Sequence, residues 1–229
     1  MIKHLCLVLI CCLPFLTYSQ ENSKVEINTD GARLVGNTFI NHSKKEKPNG
    51  SPYNIKSFAP AKVENVSQKT MMRYNVYSDE LEFITDKNDT LILDKIDDFS
   101  NIVFSGTNKK YMLVNYTSSN GKFERGYLIS FYDKRDFLLL KKENIRLYEG
   151  KVAKTSLEKD MPAKYVKADD TYFLKIKDGA IIEFPDSKKQ LIKLFPEKKQ
   201  SIETFLKEKT ISFNEAADLI KIIDFLAAM

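Results

Sequence analysis

Between about Lys62 and Pro185 the chain alternates apolar and polar residues with a period of two, and at Asp186 the period lengthens to about 3.6. That one change divides the sequence into a strand-forming part and a helix-forming part. Met72, Tyr74 and Val76 alternate with Arg73, Asn75 and Tyr77, and Leu81 and Phe83 alternate with Glu80 and Glu82. Leu91 and Leu93 follow a polar turn, then Met112 and Val114. Tyr127, Ile129 and Phe131 alternate with Leu128 and Ser130, and Tyr172, Leu174 and Ile176 with Thr171, Phe173 and Lys175. Short loops between successive strands force antiparallel pairing, because parallel pairing needs a long crossover. Asn120-Gly121 and Asp178-Gly179 suit hairpin positions that require positive φ. The expected fold class is α+β: an antiparallel β-meander over residues 61–185, open or partly curled, followed by a helical subdomain of about three helices over residues 186–229.

The helical part carries its own punctuation. Ser187-Lys188-Lys189-Gln190 has the form of a capping box, with Leu191, Leu194 and Phe195 on the face behind it. Pro196 suits the first turn of a second helix, whose face is Ile202, Phe205 and Leu206. Ser212-Phe213-Asn214-Glu215 reads as another capping box, opening a helix with Leu219, Ile223 and Leu226 in one stripe. Asp218, Lys221 and Asp224 lie opposite.

The N-terminus has the three-part pattern of a cleavable export signal over residues 1–19. Lys3 gives a basic start, Leu5 to Leu16 is apolar apart from Pro14, and Thr17 and Ser19 are small residues at the −3 and −1 positions. The apolar run is too short to cross ~30 Å of hydrocarbon, and no later stretch is apolar enough to do so. Ile10 and Cys11 precede Cys11 and Cys12, where lipoprotein processing wants a small residue. The expected product is exported, periplasmic or secreted, with no transmembrane segment after signal removal. Cys6, Cys11 and Cys12 leave with the signal, so the mature chain has no cysteine, no tryptophan and one histidine, His42. Residues 20–60 hold two short strand candidates, Lys24–Asn28 and Ala32–Ile40. A flexible linker rich in Lys, Asn, Ser, Pro and Gly follows from His42 to Pro60.

This composition removes most familiar chemistry. A Ser-His-Asp triad would depend on His42, which a linker cannot hold in a productive geometry. Zinc sites need several Cys or His ligands. Gly121-Lys122 lacks the remainder of a P-loop. Asp86, Asn88 and Thr90 have calcium-loop spacing, but Leu91 stands where the loop demands Gly and Asp97 where it demands Glu, so a polar hairpin turn is expected instead. No catalytic residue, metal ligand or cofactor is assigned. Without Lys3 the chain has 35 basic and 31 acidic residues, a net +4, with only five arginines. Scarce arginine argues against nucleic acid. The Lys-Lys pairs at 44–45, 109–110, 141–142, 188–189 and 198–199 are spread evenly, as expected of a solvated surface. The expected partner is an unknown envelope protein or polymer.

Glu80 and Glu82 share a strand face about 6.6 Å apart, a separation that serves glycoside hydrolysis, although polar-out alternation yields it routinely and a solvated face is the expectation. The candidate binding surface gathers around that hairpin: Arg73, Asn75, Tyr77, Asp79 and Glu80, with Arg73 and Asp79 as a surface pair or a binding patch and Tyr77 as an exposed aromatic.

Gly50-Ser51-Pro52-Tyr53, the run Arg73 to Phe83, and the tail from Lys188 through Phe195-Pro196 to Lys221 together resemble an uncharacterised family of exported proteins of Bacteroidetes-type bacteria. The resemblance covers about residues 50–229, and the signal ending Ser19-Gln20 is similar to signals in that group. The family implies no activity, so no functional residue carries over. In such a source the N-x-S/T sequons at Asn41, Asn49, Asn65, Asn88 and Asn115 carry no meaning as eukaryotic glycosylation sites. The functional expectation is a non-catalytic binding or interaction module of the cell envelope; the alternatives are a carboxylate-based hydrolase or lyase acting on envelope polymers, and an adaptor that meets anionic lipid or glycan through its lysines and so binds in a salt-dependent way.

Overall fold

The computed structural model describes residues 24–29, 32–38, 47–155 and 157–229, with side chains from Lys47 onward. The stretch read as an export signal with its three cysteines, His42 and the first part of the linker lie outside the described residues. The strands are β1 (Lys24–Thr29), β2 (Ala32–Thr38), β3 (Ala59–Val63), β4 (Thr70–Asn75), β5 (Glu80–Ile84), β6 (Thr90–Leu93), β7 (Asn101–Phe104), β8 (Lys110–Thr117), β9 (Phe123–Lys134), β10 (Phe137–Tyr148), β11 (Lys164–Ile176) and β12 (Ile181–Glu183). Three α-helices follow: α1 (Lys188–Leu194), α2 (Lys199–Glu208) and α3 (Ala216–Ala228). The protein is α+β, a large β-sheet with C-terminal helices, and the strand and helix halves meet near Asp186 where the hydrophobic period changes.

The sheet is mixed, which corrects the expectation of a purely antiparallel meander. Strand order is β1-β2-β6-β5-β4-β3-β7-β8-β12-β11-β10-β9, with β8 also paired to β9. The run β8-β9-β10-β11-β12 therefore closes on itself through β12 and β8, which are parallel, with Ile181 opposite Tyr116. The cause is arithmetic. In an up-and-down run with an odd number of strands, the last points the same way as the first, so closure must be parallel.

The ring has an interior of its own. Tyr116, Leu128, Leu140, Phe173 and Ile181 fill it. The opposite faces of β8 and β9 present Tyr111, Leu113, Tyr127 and Ile129 to a second core, lined by Ala61, Met72, Tyr74, Leu81 and Phe83 of the N-terminal sheet. β8 and β9 are thus a shared wall, covered on both sides. Tyr127, Leu128 and Ile129 are all buried in succession, as strands covered on both faces require.

The third core joins the outside of the ring to the helices. Phe137, Leu139 and Leu174 meet Leu191, Phe195, Ile202, Leu219, Ile222, Ile223 and Leu226. Ser187 caps α1 by accepting from the Gln190 N–H at 3.5 Å, and Gln190 returns a contact to the Asp186 N–H at 3.2 Å. The second expected box does not form. α3 starts at Ala216 after an uncapped Glu215. Instead the Asp218 carboxylate, inside the first turn, reaches back to accept from the Ser212 N–H at 2.8 Å. The expected hairpin geometries also differ. Positive φ falls on Gly121 alone in the first turn, and on Lys177 rather than Asp178-Gly179 in the second.

Candidate functional site

Residues 47–58, the end of the stretch read as a linker, form a strap across the N-terminal sheet. Asn49 bridges to Lys164 of β11, and the Pro52 carbonyl accepts from the Val76 N–H at 3.0 Å. The strap changes the meaning of the residues beneath it. Glu82, expected on a solvated face, is 7% exposed. Its Oε2 lies 2.6 Å from Arg73 Nη2, and its Oε1 accepts from Tyr53 Oη at 2.7 Å and Asn75 Nδ2 at 3.3 Å. The Arg73 guanidinium lies over the Tyr53 ring at 4.1 Å and the Phe58 ring at 4.4 Å, so it is stacked between strap residues. Burial and the hydrogen bond to Glu82 push the Tyr53 phenol far above its ordinary range.

The expected surface of Arg73, Asn75, Tyr77, Asp79 and Glu80 is therefore divided. Arg73 and Asn75 converge on Glu82, while Glu80 stands opposite Asn75 on the neighbouring strand. Tyr77 is 46% exposed and packs edge-on against Tyr165 at 5.2 Å. Asp79 points elsewhere. Arg73 and Asp79 do not pair, because Asp79 sits in the β4–β5 turn with φ +56° and aims at the shared wall. Its carboxylate accepts from Tyr74 Oη at 2.6 Å and the Tyr127 N–H at 3.1 Å, and Lys95 Nζ lies 2.7 Å away. Gly126 permits this approach, since a Cβ there would collide with the Asp79 carboxylate.

A cavity of about 100 Å³ lies between strap, N-terminal sheet and shared wall. Ile55, Ala59, Val76, Phe104 and Tyr111 give it largely apolar walls, and Asn54, Lys109 and Glu143 bring polar groups to it. Glu143 is the residue that reading the sequence missed. It stands between Lys142, paired with Thr171, and Asn144, paired with Ala168, where the β10–β11 register shifts. Such a bulge turns a side chain off the regular ladder. Glu143 is 7% exposed and bonds Lys109 Nζ at 2.7 Å. Burial works against its charge, but Lys109, a hydrogen bond from Asn54 and the nearby Lys141 outweigh it and hold the carboxyl below its ordinary value. Tyr111 and Tyr74, beside it, are pushed well up by burial and by the carboxylates around them.

The lysine pairs are not all solvated surface either. Lys109, Lys141 and Lys142 turn inward, to Glu143, Asp170 and the Tyr116–Glu124 pair respectively. Asp86 and Asn88 sit in an exposed β5–β6 turn and Thr90 opens β6; in the turn the Asn88 N–H bonds the Thr85 carbonyl at 2.9 Å. Comparison of the chain with protein-family models, curated proteins and solved structures finds no match.

Proposed function

We propose that this is an exported envelope protein that binds a small ligand in the cavity under the strap, without catalysing a reaction on it. The observation that carries the reading is an apolar-walled cavity whose one lining carboxylate, Glu143, is already neutralised by Lys109. An apolar pocket with a few placed polar groups is the usual form of a small-molecule site. Because both ends of the ion pair are engaged, the ligand is uncharged: a ring or short alkyl end carrying one hydroxyl or amide. An apolar cavity of about 150 Å³ takes up benzene; this one is about 100 Å³, so only a small ring or alkyl end is accommodated. The alternative, a carboxylate hydrolase, finds less support. Glu82, the better placed half of the Glu80–Glu82 pair, is consumed by Tyr53, Arg73 and Asn75.

The experiment is an amide NMR titration with cyclohexanol and with phenol. Saturable shifts confined to residues 54–59, 104–111 and 143, and abolished by Ala59→Leu, support the reading. Absence of saturable shifts there, or shifts untouched by Ala59→Leu, overturns it.

A further inference from the structure

The strands β10 and β11 run on past the ring. β9 pairs with β10 only as far as Lys141, whereas β10 and β11 stay paired out to Tyr148 and Lys164. Beyond them Lys151 and Met161 form one more bridge. The result is a two-stranded ribbon with a tip at residues 149–163.

That tip has an unusual surface. Tyr148 is 56% exposed, Met161 63%, Val152 82% and Leu157 95%. Among the described residues no neighbouring element covers these side chains. Along the ribbon and its tip stand Arg146, Lys151, Lys154, Lys159, Lys164 and Lys167, all exposed, with Lys164 opposite Tyr148 on one face and Lys167 on the other. Among the described residues none of these six is in an ion pair. The stretch 146–167 holds only three acidic residues, Glu149, Glu158 and Asp160, giving it a net +3. Two of those carboxylates are turned onto the tip's own backbone: Asp160 accepts from the Ala153 N–H at 2.7 Å and Glu158 from the Lys154 N–H at 3.0 Å. Their hydrogen bonds shape the turn, and the cations are left facing out.

We propose that this ribbon tip docks on the surface of an anionic lipid bilayer, with Val152 and Leu157 entering the interface and the lysines meeting phosphate headgroups. The two halves of the surface fit the two layers of a membrane: apolar side chains want the acyl boundary, and unpaired lysines want the negative surface above it. A protein partner of matching shape would need a groove for the apolar side chains and acidic groups at its rim; a bilayer supplies both chemistries without one. Attraction of this kind weakens with salt, as the Debye length falls from ~10 Å at 0.1 M to ~3 Å at 1 M.

The test is co-sedimentation of the protein with vesicles of phosphatidylcholine alone and of phosphatidylcholine with phosphatidylglycerol. The expected result is at least ten-fold stronger partitioning onto the anionic vesicles, reduced by 0.5 M salt. Val152→Ser with Leu157→Ser, and separately Lys151→Gln with Lys154→Gln and Lys159→Gln, should each cut partitioning by ten-fold or more. Both variants change only exposed residues, and circular dichroism melting should match the parent. Three outcomes overturn the proposal: no preference for anionic vesicles, partitioning unchanged in either variant, or a protein captured through the tip while vesicles are ignored.

Discussion

The strap interface and the helical layer cover neighbouring parts of one sheet by opposite means. The helices bury an apolar stripe on Phe137, Leu139 and Leu174, and their polar contacts, such as Tyr132 to Asp224 at 2.6 Å, lie at the rim. Under the strap, by contrast, lie Glu82 and Glu143, the two buried charged residues among those described, together with the cavity. A dry interface of this kind holds a fold together. A buried ion pair contributes little net stability for its desolvation cost, so the strap interface draws less cohesion from its buried charges than the helical layer draws from apolar contact.

The largest expected effect breaks the dry side. Ile223 is fully buried, and Ile223→Asp should destabilise by about 4 kcal/mol or more in chemical denaturation, because it places an unpaired charge in the apolar layer. An unchanged midpoint would mean that α3 is not seated on the sheet.

Glu143→Gln comes next. It strands Lys109, which is 29% exposed, so the loss should be about 3 kcal/mol, at the low end for a broken buried pair. The pH dependence has a definite sign. The folded Glu143 carboxyl is held below its ordinary 4.5, so its contribution is complete above that value and is lost as pH falls through the lowered one. The gap between parent and variant should therefore be full at pH 7 and shrink below about pH 4.5, which urea midpoints at each pH will show.

Gly126→Ala should cost about 2 kcal/mol by pushing the Asp79 carboxylate off β9. Paired with Asp79→Ala, the loss should be less than the sum of the two single changes, which a double-mutant cycle measures. Lys221→Ala, on the solvent side of the helical layer, should stay within about 0.5 kcal/mol, since its pair with Asp218 is exposed on the lysine side.

What could be read from the sequence follows the same division. The helical layer was legible because its information is local: a 3.6 period, Ser187 before Gln190, and Pro196 at a helix start. Most strands were legible from alternation. The parallel closure was not, because β12 is three residues long and its partner β8 lies far back in the chain. The wall strands hid their role too, since Tyr127-Leu128-Ile129 serves two cores at once. The strap was misread because Pro, Asn, Ser and Gly are the residues of loose linkers as well as of ordered crossings. Lys141-Lys142-Glu143-Asn144 looks like solvated surface until a bulge turns Glu143 inward. Of the expected site, Arg73 and Asn75 were placed on the right hairpin, but their partner Glu82 had been assigned to solvent.

The central claim is that the strap interface, and not the helical layer, holds the space for a ligand. Crystals of the protein pressurised with xenon test it directly, because xenon collects in apolar cavities of this scale. The expected result is an anomalous peak enclosed by Ala59, Val76, Phe104 and Tyr111. A map with no peak there, or with its only peak beneath α3, would contradict the account.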